Sequence, residues 1–206
     1  MLHLQTILPD TLEFLKCLSA QPEMQGMRLV GGTALALQYG HRQSVDLDFF
    51  GAPATNQEEL LEMVEKMGPY RLRNRSKNIL QLVVNGIMLD FVDYGLYPWI
   101  DSPVCWEGIT LASPKDIAAL KINAIEGRGT KKDFIDIYLL LQHYSLDDLL
   151  AFYSQKYPNY SIFRALLSLN YFDDAEPQAM PKMLIPTSWE EMKKTLSAAV
   201  NNYQKR

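Results

Sequence analysis

Cysteine is scarce in this chain, which has only Cys17 and Cys105 among its 206 residues. The two lie far apart, no CxxC spacing occurs, and no histidine stands beside either of them. A disulfide framework and a cysteine-based metal site are therefore excluded. We expect two buried free thiols in a reducing compartment.

Long hydrophobic runs are absent as well, since none approaches the ~18 residues that a membrane-spanning helix needs. The opening residues, Met1 to Gln5, lack the basic and then apolar layout of a signal peptide. An excess of positive charge is also missing: the net charge is −4, which argues against a protein that coats nucleic acid non-specifically. We expect a cytoplasmic protein with no membrane attachment.

The spacing of apolar residues predicts mixed α and β structure in the first half of the chain. Asn85-Gly86 separates two strand-like runs, which is the strongest short signal for a β-hairpin. The predicted elements are helices over residues 9–20, 33–38 and 56–67, and strands over 27–30, 45–50, 70–77, 79–84, 87–94 and 106–111.

A helix start is predicted at Ser113-Pro114-Lys115-Asp116, because serine caps a helix, proline fits its first position and aspartate favours the positive end of its dipole. We therefore predict an α+β protein, with a small mixed β-sheet core and flanking helices over residues 1–112 and a helical bundle over residues 113–206. The helices predicted in the bundle cover residues 114–126, 131–143, 146–156, 161–170 and 188–203.

The most informative segment contains a glycine pair and, further on, two aspartates. Gly31 and Gly32 permit a tight turn whose backbone amides can face a phosphate. Asp46 and Asp48 stand inside an apolar run, and on a strand their side chains share one face. Two adjacent carboxylates are unfavourable unless a divalent cation lies between them. The pattern indicates chemistry on a nucleoside triphosphate rather than two ordinary surface aspartates on an edge strand.

A third carboxylate is predicted at Asp90, which also lies inside an apolar strand run, just after the hairpin turn. If that strand lies beside the strand of Asp46 and Asp48, Asp90 faces the same cations. Asp93 is the competing candidate, but its spacing places it on the opposite face, next to the start of a loop. We favour Asp90.

Three further groups of polar residues have two interpretations each. The period-two basic run is either a track for phosphates or a charged edge strand. His41 and Arg42 either contact the substrate or are solvated. The spacing of a later cluster favours salt bridges between neighbouring helices. The basic run is Arg71, Arg73, Arg75 and Lys77, and the cluster is Lys121, Arg128, Lys132, Asp133 and Asp136.

The segment from Gly31-Gly32-Thr33 to Asp46-Leu47-Asp48-Phe49 resembles the signature of the nucleotidyltransferase superfamily related to DNA polymerase beta. Its sequence, LVGGTALALQYGHRQSVDLDFF, is more similar still to that of the AbiEii/AbiGii toxin-like branch of the superfamily. The segment from Lys121 to Ile137 resembles the second block of that branch. The resemblance covers residues 28 to 141 and implies a mixed sheet that carries the site, followed by a helical domain.

The resemblance also implies roles for individual residues. Gly31, Gly32 and Thr33 would hold the triphosphate, and because Gly32 stands where relatives often have serine, a hydroxyl contact would come from Thr33. Lys121 would contact the phosphates, and Asp133, with Asp136 as the alternative, would fill a late acidic position. The metal ligands for two Mg²⁺ ions would be Asp46, Asp48 and Asp90, the last of which would also help to deprotonate the attacking hydroxyl.

The predicted function is metal-dependent transfer of a nucleoside monophosphate from an NTP to an acceptor hydroxyl. The acceptor is left open among tRNA or another RNA, a protein and a small molecule. The protein would then be the toxin of a toxin–antitoxin pair, with an antitoxin protein as partner. Two alternatives remain open: a non-catalytic nucleotide- or partner-binding module of the same fold, and a metal-dependent phosphohydrolase.

Overall fold

The computed structural model describes residues 2–205, so positions 1 and 206 of the predicted domain ranges lie outside it. The described chain forms two compact units, one of residues up to 98 with 102–112, and one of residues 99–101 with those from 113 onward. The first unit contains helices α1 (Pro9–Ser19), α2 (Gly31–Tyr39) and α3 (Gln57–Met67) and strands β1 (Met27–Val30), β2 (Leu47–Gly51), β3 (Tyr70–Arg75), β4 (Ile79–Val84), β5 (Ile87–Asp93), β6 (Val104–Trp106) and β7 (Ile109–Leu111). The second contains α4 (Pro114–Gly127), α5 (Lys131–Leu140), α6 (Leu146–Lys156), α7 (Ile162–Leu169) and α8 (Trp189–Gln204).

The strands of the first unit form one mixed sheet in the order β3-β4-β5-β2-β1-β7-β6. Strands β3, β4 and β5 form an antiparallel meander, and β5 then pairs in parallel with β2. Strand β1 is antiparallel to β2 and parallel to β7. The α+β class and the small mixed sheet predicted from the sequence are confirmed.

One face of the sheet is apolar and buried, and the other face remains accessible. Buried and half-buried residues alternate along β4 and β2, as the two-residue period of a strand requires. The buried face carries Leu80, Leu82, Leu89, Phe91 and Leu47, each no more than 2% exposed. Polar side chains that need solvent or a ligand therefore stand on the opposite face.

Two predicted boundaries near the glycine pair were wrong. Strand β2 begins at Leu47 rather than at residue 45, because its partner β1 ends at Val30, opposite Asp48. Helix α2 begins at Gly31 rather than at residue 33, so both glycines belong to its first turn. The predicted turn is thus the start of a helix.

Two hairpins are set by residues with positive φ. Asn85 (φ 51°) and Gly86 (φ 83°) connect β4 to β5, as predicted. The single strand predicted over residues 106–111 is instead a hairpin of β6 and β7, because Glu107 (φ 45°) and Gly108 (φ 83°) reverse the chain. Both turns place left-handed backbone at the two central residues, which matches the twist of the flanking strands.

The expectation of buried thiols was wrong, since Cys17 and Cys105 are both exposed. Helix α1 buries Leu15 and Leu18, which leaves Cys17 on its outer side, and Cys105 lies in the edge strand β6. Within residues 2–205, no helix combines the length and the apolar character that a membrane crossing requires.

The second unit contains a fully buried ion pair between α4 and α6. Lys156 Nζ lies 2.9 Å from Asp116 Oδ1, and both side chains are 0% exposed. Asp116 also accepts hydrogen bonds from the backbone N–H groups of Ile100 (2.8 Å) and Asp101 (3.3 Å) and from the hydroxyl of Ser113 (2.7 Å). This carboxylate therefore ties the segment 99–101 to the helices; the sequence had indicated only its place in the first turn of α4.

Candidate active site

Two carboxylates stand side by side on the accessible face of the sheet. Asp48 on β2 and Asp90 on β5 are direct partners in the parallel register of the two strands, and both are half-buried. Partners on adjacent strands lie about 5 Å apart and point to the same side. Like charges in this arrangement repel each other, so the pair favours a cation.

The carboxylate of Asp90 is held from its other side by the amide of Gln81, which is its partner on β4. Gln81 Nε2 donates to Asp90 Oδ2, which fixes the orientation of the carboxyl group. Sequence reasoning did not select Gln81, because only the β4–β5 register shows which residue lies beside Asp90. Asp93 has a different role: it is exposed, and its Oδ1 accepts the N–H of Gly95 at 3.1 Å.

Asp46 lies just before β2 rather than within it. It is half-buried, and its backbone carbonyl accepts a hydrogen bond from the Thr33 hydroxyl. The Thr33 side chain is 1% exposed, and its Oγ1 also lies within hydrogen-bonding distance, 2.9 Å, of the Ser44 hydroxyl. The hydroxyl of Thr33 is therefore used inside the protein to attach α2 to the residues before β2, and what this residue can offer a phosphate is its backbone N–H.

The first turn of α2 lies against Asp48. Gly31 has a φ of 68°, and a Cβ at this position would clash with Asp48 Oδ2. The residue before it, Val30, is the N-cap and has no side-chain acceptor for the amides of the turn. Because the N-terminal amides of a helix have no acceptor within the helix and carry partial positive charge, this turn is suited to an anion. A glycine is required here for both backbone conformation and space.

The predicted loop residues His41 and Arg42 are not solvated, since they are 0% and 1% exposed. A Cβ on Gly32 would lie 3.1 Å from Arg42 Cζ, so the guanidinium group is packed directly against the first turn of α2. Arg42 Nη1 also donates to the carbonyl of Gln43 at 3.1 Å. A fixed positive charge at this end of the helix adds to its attraction for an anion.

The predicted basic run does not share one face, because a β-bulge between Leu72 and Asn74 changes the register of β3. Arg73 Nη1 approaches Met88 Sδ at 3.2 Å, whereas Arg75 binds the α3 residues Gln57 (Nε to Oε1, 2.9 Å) and Glu58. Strand β3 is an edge strand whose residues are all exposed. One inserted residue reverses the side-chain alternation on which the predicted shared face depended.

The later cluster forms an ion-pair network inside the second unit rather than surface salt bridges. Lys121 Nζ lies 2.8 Å from Asp133 Oδ1 and 2.7 Å from Asp136 Oδ2, and all three side chains are at most 7% exposed. Asp133 Oδ2 also accepts the Thr130 hydroxyl (2.6 Å) and Arg128 Nε (3.2 Å). Burial is the largest influence on Asp133 and raises its pKa, but the charges of Lys121 and Arg128 together with the hydrogen bonds from Lys121 and Thr130 outweigh it and lower the pKa to about 2.

We expect the Asp133→Asn variant to lose stability at neutral pH and to lose part of its acid sensitivity. A carboxylate with a lowered folded-state pKa stabilises the fold above its unfolded-state pKa, and that contribution, about 2 kcal/mol here, disappears as the pH falls through the folded value. Urea unfolding at pH 7, 5 and 3 should show the difference from wild type shrinking toward pH 3. A difference that stays constant with pH would contradict this assignment.

Six of the predicted site residues lie in the first unit and the other two lie in the second. Within residues 2–205, no three His, Cys, Asp or Glu side chains are grouped closely enough to hold a metal on their own. Mg²⁺ commonly binds to one or two carboxylates together with substrate phosphates, so a pair of neighbouring carboxylates fits it without a complete protein cage. The six are Gly31, Gly32, Thr33, Asp46, Asp48 and Asp90, and the two are Lys121 and Asp133.

The sequence matches one family model and is similar to a protein from another organism. The family model for the AbiEii nucleotidyl transferase toxin of type IV toxin–antitoxin systems matches residues 13–81, a range that includes the glycine pair, Asp46 and Asp48. An uncharacterized protein of Aquifex aeolicus (strain VF5) is 35% identical over 181 residues, which cover 85% of this chain and 86% of that protein.

Solved structures with the same fold are also similar. MenT4, a nucleotidyltransferase toxin from Mycobacterium tuberculosis H37Rv, has a TM-score of 0.60 at 16% identity, over 94% of this chain and 81% of that one. ANT(2")-Ia in complex with adenylyl-2"-tobramycin has a TM-score of 0.56 at 16% identity, over 75% of this chain and 100% of that one. At these identities the likeness establishes the fold.

Proposed function

The chain belongs to the AbiEii family of nucleotidyl transferase toxins, and on that premise we propose that it transfers a nucleoside monophosphate from an NTP to an acceptor hydroxyl with the help of Mg²⁺. The observation that carries the proposal is the direct register of Asp48 and Asp90 beside the first turn of α2. An anion site and a carboxylate pair in contact with each other are what a metal-bound triphosphate requires.

In this proposal the triphosphate binds through the backbone N–H groups of Gly31, Gly32 and Thr33. The positive end of α2 and the buried guanidinium of Arg42 favour its negative charge. The absence of a Cβ at Gly31 leaves the Asp48 carboxylate beside the turn, so the phosphates and the carboxylate can share a cation. The backbone therefore provides the phosphate contact that the sequence analysis had assigned to a hydroxyl of Thr33.

Asp46, Asp48 and Asp90 are the proposed ligands of two Mg²⁺ ions. Their oxygens are the hard donors that this ion prefers, and the repulsion within the Asp48–Asp90 pair would be relieved by it. Bound Mg²⁺ would supply charge stabilisation at the α-phosphate and a lowered pKa for the attacking hydroxyl. The Gln81 amide keeps the Asp90 carboxyl group in one orientation for this role.

The chemical step forms a bond between the acceptor oxygen and the α-phosphorus and breaks the bond to the bridging oxygen, so pyrophosphate leaves with the electron pair. Asp90 receives the proton of the acceptor hydroxyl in this scheme, because its carboxylate is held in place on the accessible face. The acceptor is an RNA such as tRNA, a protein or a small molecule, and an antitoxin protein is the expected partner.

Lys121 and Asp133 enter the proposal through the family resemblance alone. In the structure the Lys121 ammonium is paired with the carboxylates of both Asp133 and Asp136 within the second unit. Assay of the Asp133→Asn variant at pH 7 separates the two roles. A loss of turnover beyond its loss of stability supports the assigned catalytic position, and unchanged turnover in the folded variant leaves Asp133 a structural residue.

Incubation with each of the four α-labelled NTPs and Mg²⁺, in the presence of total cell extract, tests the proposed reaction. We expect release of pyrophosphate and transfer of label to one class of acceptor, with no reaction when EDTA is present. Release of inorganic phosphate without labelled acceptor would indicate a phosphohydrolase. Binding of NTP with no product would indicate a non-catalytic binding module.

A further inference from the structure

Helix α7 in the second unit presents an apolar stripe to solvent. Phe163 and Leu167, one turn apart, are 65% and 53% exposed. Tyr160 before the helix and Tyr171 after it continue the stripe, at 45% and 52% exposure. Residues four positions apart lie on one side of a helix, so Phe163 and Leu167 share a face of α7, and Tyr160 and Tyr171 stand at its two ends. Clustered exposure of this kind marks an interaction site more often than scattered apolar residues do.

A cavity of about 630 Å³ opens beside this stripe. Leu166, Leu167, Tyr171 and Val200 form its apolar walls, and Glu126 and Asp174 supply polar groups. Its volume is ample for an aromatic side chain. Phe163 projects from the same helix one turn before Leu167, so a protruding ring and a cavity that can receive one stand on the same surface.

The two ends of the stripe carry opposite charge. Arg164 lies near its start and Asp173 and Asp174 near its end. Among the residues that the structure describes, none of these three charges takes part in a salt bridge, and Arg164 is exposed. The charges of Asp174 and Asp173 also raise the pKa of the neighbouring Tyr171 hydroxyl, which places both carboxylates next to the stripe.

We propose that the α7 surface, defined as Tyr160, Phe163, Leu167 and Tyr171 with the adjoining cavity, is the interface of a symmetric homodimer. A two-fold axis near Leu167 aligns two α7 helices in antiparallel directions. Each Phe163 then meets Tyr171 and the cavity of the other copy, and each Arg164 comes within reach of the acidic end of the other copy.

The charge pattern selects a second copy of this chain as the occupant. A two-fold axis places the same patch on both partners, so the patch must complement itself. In the antiparallel arrangement, the basic start of the stripe faces the acidic end of the other copy. The Phe163 ring faces the cavity of the other copy in the same way, so the patch complements itself. In the parallel arrangement Arg164 would face Arg164 and the carboxylates would face each other, which is unfavourable.

Sedimentation velocity of the full chain at 1 to 100 µM tests the dimer. We expect a species of twice the chain mass and a dissociation constant that rises at least tenfold in Phe163→Glu and in Arg164→Glu. The matched control is Leu96→Glu, which alters another exposed apolar residue and should leave the dissociation constant unchanged. A wild-type chain that is monomeric at 100 µM would overturn the proposal.

Exchange of the charges at the two ends of the stripe tests whether the two α7 helices pair in antiparallel directions. Arg164→Glu combined with Asp173→Lys and Asp174→Lys exchanges the two ends of the stripe and should restore the dimer that Arg164→Glu alone weakens. In a background with Cys17→Ser and Cys105→Ser, Leu167→Cys should form an intermolecular disulfide on mild oxidation, because the axis passes close to this position. A dimer that persists in Phe163→Glu would show that another surface forms the contact, and a reversed variant that stays monomeric would contradict the antiparallel arrangement.

Discussion

Replacement of Asp48 by asparagine is expected to reduce nucleotide transfer by about a thousandfold or more, because the Asp48 carboxylate lies against the first turn of α2, is the register partner of Asp90 and would supply negative charge to the proposed Mg²⁺ site. The fold should remain intact, since asparagine has nearly the same shape. Removal of one of two repelling charges should also raise the melting temperature when no divalent cation is present. Label transfer from NTP and a melting curve in EDTA measure both effects.

The matched control for this prediction is Asp93→Asn, which changes a carboxylate on the same strand that is exposed and caps the turn at Gly95. Its transfer rate should stay within about twofold of wild type, because its charge lies outside the proposed site. Equal losses in the two variants, or full activity in Asp48→Asn, would remove Asp48 from the proposed metal site.

Replacement of Lys156 by methionine is expected to lower the free energy of unfolding by about 3 to 5 kcal/mol. The ammonium group is completely buried, 2.9 Å from Asp116 Oδ1 and 4.5 Å from the centre of the Trp99 ring. Without it the Asp116 carboxylate stays buried with only neutral hydrogen-bond donors. Urea denaturation followed by circular dichroism measures the loss.

A double variant and a surface control make the ion-pair prediction specific. Lys156→Met combined with Asp116→Asn removes both charges and should recover part of the lost stability, since no uncompensated charge remains. Lys193→Met removes surface ion pairs with Glu176 and Glu190 and a cation–π contact with Trp189 at 5.8 Å, and it should leave the urea midpoint nearly unchanged. A double variant that is less stable than Lys156→Met would mean that the carboxylate contributes without its partner charge.

Local patterns were sufficient for much of the fold. The spacing of apolar residues and the turn chemistry of Asn85-Gly86 predicted the meander, and the order Ser113, Pro114, Asp116 predicted the start of α4, where Ser113 Oγ accepts the Asp116 N–H at 3.1 Å. These signals depend on neighbours in the chain and on which face of an element is apolar. They indicate neither the order of the strands nor the position of a β-bulge. The bulge in β3 therefore made the prediction for the basic run wrong.

The sequence by itself predicted which carboxylates and glycines belong to one site, because aspartate inside an apolar strand and paired glycines are unfavourable without a compensating ligand or turn. Only the tertiary structure decided how they meet. The parallel register of β2 and β5 places Asp90 beside Asp48 and Gln81 beside Asp90, and the packing of Arg42 and Thr33 buries groups that the chain order leaves undefined. The same holds for Lys156 and Asp116, whose contact across 40 positions exists only because α4 and α6 pack together and exclude water from both charges.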